Sequence, residues 1–510
     1  MISSWALAQS DLRARRRLGA ISNTIARSYL LELGYFHGIR LPEYYVPSGF
    51  PAMNLTDSPS KIETIPLELY APKGLYSWRR FSLLHPYAYW HLVHCMTRAE
   101  AWAMIKDALT SPTRVACYSL PDLRPRRAPA ANGIRGWLSF ERDVRTASPD
   151  FTHLAVCDIG SFYPSVYTHS IAWALHGRET AQRERGRQNR IGDQIDTIFR
   201  KARRGQTNGL PIGNVASDIV AEVILHDIDR LLGEELSDRL AIARYRDDYR
   251  ILAPSEADAK RALRLVSRVL HEHYDLTLNS EKTHIYSDVI AGATRPWTTA
   301  MRSNAALSSL VLQGAPAALT GSALLAILHA AYSVQREFPE GSPAVSILSK
   351  LAQVSSLGGK CRPAQLREAI AILRQLMSLR ESVTPVAARV VDMLLDHLGA
   401  GEARAILADL VAAALRGADN TFELVWIFRL VVHHWPEWLD QFRAVANPLL
   451  TLALDPEVPT IQVFSETTGL SAHDRRELAR FSLVDHRVLS GLHRTPIPQS
   501  AVNVFAYPPT

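Results

Sequence analysis

Tyr245-Arg246-Asp247-Asp248 stands between two apolar runs, 240–243 and 251–253, and its reading decides the fold. Short apolar runs on both sides of a polar tetrapeptide read as strand, turn and strand, with the aspartates at the turn. A third carboxylate is close at hand in the pattern. His153-Leu154-Ala155-Val156-Cys157 has the length of a buried strand and delivers Asp158 at its end, 89 positions before Asp247. A hairpin with paired carboxylates and a third on another strand is how a protein holds two magnesium ions for nucleotidyl transfer. Taken alone, Asp-Asp in a hairpin is far more often the mark of a solvated turn.

The order of several motifs separates these readings. Asp158-Ile159-Gly160-Ser161-Phe162-Tyr163 is followed by Gly209-Leu210-Pro211-Ile212-Gly213-Asn214-Val215-Ala216-Ser217, then by the Tyr-Arg-Asp-Asp hairpin, then by Leu276-Thr277-Leu278-Asn279-Ser280-Glu281-Lys282-Thr283. These four blocks, in this order, resemble the palm motifs of reverse transcriptases over about residues 75–290. Phe162-Tyr163-Pro164-Ser165-Val166-Tyr167-Thr168-His169-Ser170, with Trp173-Ala174-Leu175-His176-Gly177, is most similar to the bacterial abortive-infection reverse transcriptases used in defence against phage. Arg79-Arg80-Phe81-Ser82-Leu83-Leu84-His85-Pro86 resembles the fingers segment of that group.

The resemblance implies roles for individual residues. Asp158 and Asp247 are the expected metal ligands, with the Ile159 carbonyl as a further oxygen and Asp248 in support. The expected cofactor is a pair of Mg2+ ions, with Mn2+ as the alternative. Tyr163 takes the place of the bulky residue under the sugar that excludes a 2′-hydroxyl, which implies deoxynucleoside triphosphates; the alternative is a core aromatic beside Phe162. Gly213 and Ser217 match the loop against the nascent base pair, glycine permitting close backbone approach. Here the chain departs from the common pattern, because Ile212 replaces a glutamine and Asp218 a proline. Lys282 matches the lysine that donates a proton to leaving pyrophosphate, a role worth about 10²- to 10⁴-fold. Arg80, or its neighbour Arg79, is expected to bind the triphosphate as a charge-assisted fork.

The 510 residues leave room for two or three domains, and 47% hydrophobic with 21% charged residues argues for folded structure. A net charge of +7 suits a polyanionic partner. Cys95, Cys117, Cys157 and Cys361 form no Cys-x-x-Cys pair, so neither a disulfide framework nor a zinc knuckle is expected, and a bacterial cytoplasmic location fits. Residues 1–10 have no secretion signal, and the apolar stretch 305–334 is broken by Gln313, Gly314, Pro316 and Gly321, so no membrane association is expected.

Arg13, Arg15, Arg16 and Arg17 read as a solvated helix face or as phosphate contacts. Residues 41–47 read as a loop, and 121–136 as a long basic one. Arg178, Arg183, Arg185, Arg187, Arg190, Arg200, Lys201, Arg203 and Arg204 form the densest basic cluster, expected to border a nucleic-acid channel; the alternative is a long exposed helix partly balanced by Glu179, Glu184 and Asp193. Beyond 300 the chain reads as amphipathic helices at 322–335, 344–353, 363–377, 386–398, 401–415, 421–432 and 436–452. Their similar lengths suggest a HEAT-like array. His433-His434 and His271-Glu272-His273 lack further ligands at suitable spacing and read as packing or surface residues.

The fold class expected is α+β: an extension of the fingers at 1–75, reverse-transcriptase fingers and palm at 76–295, and an all-α HEAT-like repeat domain at 296–510. The resemblance implies a DNA polymerase in abortive-infection defence, making single-stranded DNA without a template or with a weak one, primed from a tyrosine hydroxyl of the protein and working as a homo-oligomer. Tyr44 and Tyr45, in the loop-like N-terminal segment, are candidate primers. The alternatives are a retroelement enzyme copying RNA and a catalytically inactive nucleic-acid-binding helical-repeat protein. Against the first stands the lack of a Val-Thr-Gly thumb signature and of recognisable endonuclease, ribonuclease H or integrase segments. Against the second stand Asp158, Asp247 and Lys282 together.

Overall fold

The computed structural model describes residues 3–36, 41–74, 76–124, 129–183, 190–416, 420–465, 467–493 and 495–498. In chain order its strands are β1 (Tyr45–Ser48), β2 (Leu67–Pro72), β3 (Trp78–Leu83), β4 (Val115–Cys117), β5 (His153–Asp158), β6 (Ala241–Tyr245), β7 (Asp248–Ala253), β8 (His284–Tyr286), β9 (Ala318–Thr320), β10 (Ser356–Lys360) and β11 (Ser482–Val484). Five of them form one sheet in the order β4-β6-β7-β5-β8. The expected hairpin is β6–β7, and β5 lies between β7 and β8, antiparallel to both. Leu154, Ala155, Cys157, Ile251 and Leu252 are fully buried, which is why these strands read as continuous apolar runs.

The helix Val215–Glu235 is buried along most of its length; the Asn214 side chain caps it by accepting the Ser217 N–H. The helix Glu256–Tyr274 is amphipathic and packs its apolar face against β5 and β7, capped by Ser255 and ended at Asp275 with φ +54°. Burying one such Leu or Val contributes roughly 1.5 to 3 kcal/mol, so these two helices anchor the sheet. The hairpin β2–β3 is tied to the motif loop where Ser82 N–H donates to the Ile212 carbonyl at 2.9 Å.

Two segments before residue 150 differ from expectation. Tyr45–Ser48 is a strand paired antiparallel with β11, so the stretch that reads as a loop gains its ladder from the far end of the chain. The Asp474 carboxylate accepts the N–H groups of Thr56 and Asp57, and Arg429 pairs with Glu43 at 2.8 Å, strengthening that seam. The second segment is 121–136. A helix, Pro129–Thr146, begins inside it with proline at its first position; 125–128 lie outside the described residues.

Beyond residue 300 the helices Gly321–Glu337, Pro363–Leu379 and Ala400–Arg416 pack respectively on Pro343–Leu351, Thr384–Leu395 and Thr421–His434, and successive pairs touch one another. The helix expected at 436–452 is interrupted. A 3-10 segment, Pro436–Ala444, gives way to the helix Pro448–Leu454, because Pro448 offers no N–H and Asn447 caps a fresh start. Among the described residues no helix is long and apolar enough to cross a membrane.

Candidate active site

Strand register brings the three carboxylates together. Asp158 at the end of β5 is the cross-strand partner of Asp248 at the start of β7, and Asp247 sits in the turn between them and Tyr245. One ligand oxygen from each of Asp158, Asp247 and Asp248 lies within 4.8 Å of the others. A slip of one residue would turn the whole set to the other face. Burial raises the Asp247 carboxyl, and the charges of Asp248 and Asp158 raise it further; burial likewise raises Asp248. Carboxylates that repel one another in a partly dry site are the donor set that hard divalent cations relieve, so these residues fit such a cation.

The turn itself is strained and held. Arg246 has φ +52°, a left-handed conformation unusual for a side chain of its size. Its N–H donates to Ser119 Oγ at 2.7 Å, and its carbonyl accepts from Arg244 at 3.0 Å. Ile159 N–H donates to the Asp247 carbonyl at 3.1 Å, joining the turn to β5. Such strain persists where several contacts over-determine it.

Arg244 is fully buried between Asp229 and Glu222 of the helix Val215–Glu235. Arg246 reaches Asp218 of the same helix at 3.1 Å. None of these pairs was singled out in the sequence, yet a signal was there: Asp218, Glu222 and Asp229 recur at helical spacing among the apolar residues of one helix, and Arg244 interrupts an apolar strand.

Tyr163 is part-buried, and its hydroxyl donates to Asp218 Oδ1 at 2.5 Å and accepts from Arg246 at 3.2 Å. Burial, and then the Asp218 charge, hold its hydroxyl well above the ordinary range. Phe162 beside it is a core residue. Gly213 has φ +127°, and Ser217 is buried in the first turn of the following helix. Ile212 is partly buried and packs on the core.

Lys282 stands in a 3-10 turn, Ser280–Lys282, whose lead residue Asn279 donates its N–H to the Asp158 carbonyl at 2.8 Å. Its Nζ lies 3.3 Å from Asp158 Oδ2. Burial lowers the Lys282 ammonium, but Asp158, Glu340 and Asp248 outweigh it, so the lysine stays charged. Arg80 is half-exposed and 3.5 Å from Glu68, whereas Arg79 pairs with Glu381 at 2.6 Å. Asp248 and Lys282 border a groove of about 700 Å³ with Trp137, Arg250, Tyr286 and Trp297. Tyr163, Asp218 and Arg246 line a separate cavity of about 350 Å³.

Residues 94–314 match the sequence model of the family described as Reverse transcriptase (RNA-dependent DNA polymerase). This segment is a reverse transcriptase domain. It holds all four motif blocks and spans under half of the chain. Among solved structures, apo telomerase from Candida tropicalis is similar at 10% identity and a TM-score of 0.30, over 85% of this chain and 70% of that one. Telomerase from Candida albicans, in complex with a fragment of telomeric RNA, is similar at 12% identity and a TM-score of 0.26, over 74% of this chain and 66% of that one. No curated protein matches the chain.

Several basic residues near the reverse transcriptase motifs are spent inside the fold. Arg178 donates to the carbonyls of Glu272 and His273 and lies over Trp173; Arg200 pairs with Asp196, and Lys201 with Glu63. Buried Arg203 donates to the carbonyls of Asn208 and Gly209, which shapes the Gly-Leu-Pro-Ile-Gly loop. Arg185 and Arg187 lie outside the described residues. The N-terminal arginines divide too, since Arg15 is buried against Asp11 and the carbonyls of Leu109 and Ser111. His433 and His434 do have a third partner. Asp392 Oδ1 accepts from both, at 2.7 and 2.9 Å, while its Oδ2 accepts the Ile497 N–H, so hydrogen bonds satisfy the group. His271 is exposed, 3.7 Å from Asp275.

Proposed function

We propose that this chain is a nucleotidyl transferase that extends DNA with deoxynucleoside triphosphates in bacterial abortive-infection defence. The observation that carries it is the convergence of Asp158, Asp247 and Asp248 with Lys282 beside them. Asp158, Asp247 and the Ile159 carbonyl would hold two magnesium ions, with manganese as an alternative. Ions bound there neutralise charge on the entering and leaving oxygens of phosphoryl transfer. Lys282, kept charged by its carboxylates, is the proton donor toward the departing pyrophosphate. Tyr163 bars a 2′-hydroxyl.

Weakly templated or untemplated synthesis is supported by the base-pair side of the site. Ile212 supplies no amide, and Asp218 is already committed to Tyr163 and Arg246. For protein priming, Tyr44 and Tyr45 are poor candidates, because both rings are buried and Tyr45 OH donates to the Leu449 carbonyl. Tyr76 is 96% exposed on the β2–β3 turn and is the better-placed hydroxyl. The stacked helix pairs support a HEAT-like reading of 296–510, with fingers and palm at 76–295 and 1–75 as their extension. We assign the working form to a homo-oligomer.

A second reading, RNA-templated synthesis, is favoured by the family match over 94–314. One experiment separates the two. The purified chain is incubated with magnesium and single labelled deoxynucleotides, with and without RNA, and resolved on a denaturing gel. Label retained on protein without template, and lost in Tyr76→Phe, supports self-priming. Free product that requires RNA supports the templated enzyme. No incorporation under any condition rejects both.

A further inference from the structure

The palm, the β2–β3 hairpin and the helical region meet at one charged cluster beside the catalytic carboxylates. Lys282 Nζ, 3.3 Å from Asp158, is also 3.7 Å from Glu340 Oε2, which belongs to the turn after the helix Gly321–Glu337. Glu340 Oε1 stands 3.9 Å from where a Cβ would lie on Gly74, in the β2–β3 turn. One guanidinium clasps both turns, since Arg380 donates to the Lys73 carbonyl at 3.3 Å and to the Pro339 carbonyl at 2.8 Å. Glu381 N–H donates to the Pro72 carbonyl at 2.9 Å, and its carboxylate holds Arg79.

Charge in this cluster is unbalanced. Lys73, Arg79 and Arg380 face Glu340 and Glu381, Arg79 already takes Glu381, and Lys282 is shared between Asp158 and Glu340. Among the described residues Lys73 has no carboxylate within ion-pair distance. Burial lowers its ammonium, then Arg79 and Lys282 lower it further, and Glu340 alone among its neighbours supports it. Glu340 is 56% exposed, so its hold on Lys282 is cheap to break.

We propose that Glu340 is a stand-in anion: it covers the two lysines that bind a nucleotide's polyphosphate tail, and the tail must displace it. This rests on the nucleotidyl-transfer reading, and it assigns the phosphate contact to Lys73 with Lys282 in place of Arg80. Two ammonium groups are point donors suited to a flexible polyanion. The helical region thereby sets nucleotide affinity through one carboxylate.

The test is equilibrium binding of inorganic tripolyphosphate to the full chain by calorimetry, without metal. Glu340→Gln is expected to tighten binding roughly threefold to fivefold, the range an exposed ion pair accounts for. Lys73→Gln weakens it, and Glu437→Gln, an equal charge change on an exposed residue of the helical region, leaves it unmoved. Unchanged affinity in Glu340→Gln, or an equal gain in Glu437→Gln, overturns the proposal. Because no polymerisation is measured, a chain that incorporates no nucleotide would defeat the functional reading and leave this result separate.

Discussion

The Tyr163 hydroxyl donates to the Asp218 carboxylate at 2.5 Å, which joins the residue under the expected sugar position to the helix behind the aspartate hairpin. Arg246 closes the triangle through both partners. A side chain held on two sides is rigid, and rigidity is what the proposed discrimination by size requires.

Tyr163→Ala is therefore expected to admit ribonucleotides, whereas Tyr163→Phe, which keeps the ring and loses both hydrogen bonds, is expected to discriminate less well than wild type and better than Tyr163→Ala. The ratio of deoxynucleotide to ribonucleotide incorporation measures it. Equal ratios in wild type and Tyr163→Ala would place the gate elsewhere.

Asp247→Asn removes a ligand charge and preserves volume. Incorporation is expected to fall by about two to four orders of magnitude, since the charge stabilisation lost is worth several kcal/mol. Thermal stability without metal should hold or rise, because a buried carboxylate facing Asp158 and Asp248 is itself costly. Normal turnover in this variant would refute the assignment of the carboxylates.

Arg244→Met strands Asp229 and Glu222 in the core, at a cost of about 3 to 5 kcal/mol. Urea unfolding reads the loss. Adding Asp229→Asn and Glu222→Gln should restore much of the stability but not activity, because the Arg246 carbonyl still lacks the donor that fixes the turn.

Asp392 gives a pH signature to the helical region. Burial raises its carboxyl, and hydrogen bonds from His433 and His434 more than reverse this, leaving it well below the ordinary carboxylate range. Its folded value is depressed, so its stabilisation is present above the unfolded value of about 4 and is lost as pH falls through the folded one. Acid unfolding of Asp392→Ala should lack that component, and near neutrality the variant should be about 3 to 5 kcal/mol less stable. Identical acid profiles would exclude it.

Much of the palm was legible because its signals are local. An apolar run of strand length ending in Asp158, a hairpin carrying Asp247 and Asp248, and a turn carrying Lys282 each announce themselves within a few residues, and the helices beyond 320 show their own periodicity and caps. The partners of the basic cluster were not legible, for a related reason: composition reports arginines but not the carbonyls of Glu272, Asn208 or Gly209 that accept from Arg178 and Arg203.

What the chain settled by itself was the order of the motif blocks and the kind of element bearing each, since propensity and period act over neighbours. Only the tertiary structure decided which distant groups meet: β1 with β11, Asp392 with two histidines, Arg244 with Asp229, and Glu340 with Lys282. Pairings across such separations leave no local trace, because they come from packing and the need to satisfy buried charge, which exist only once the chain has closed on itself.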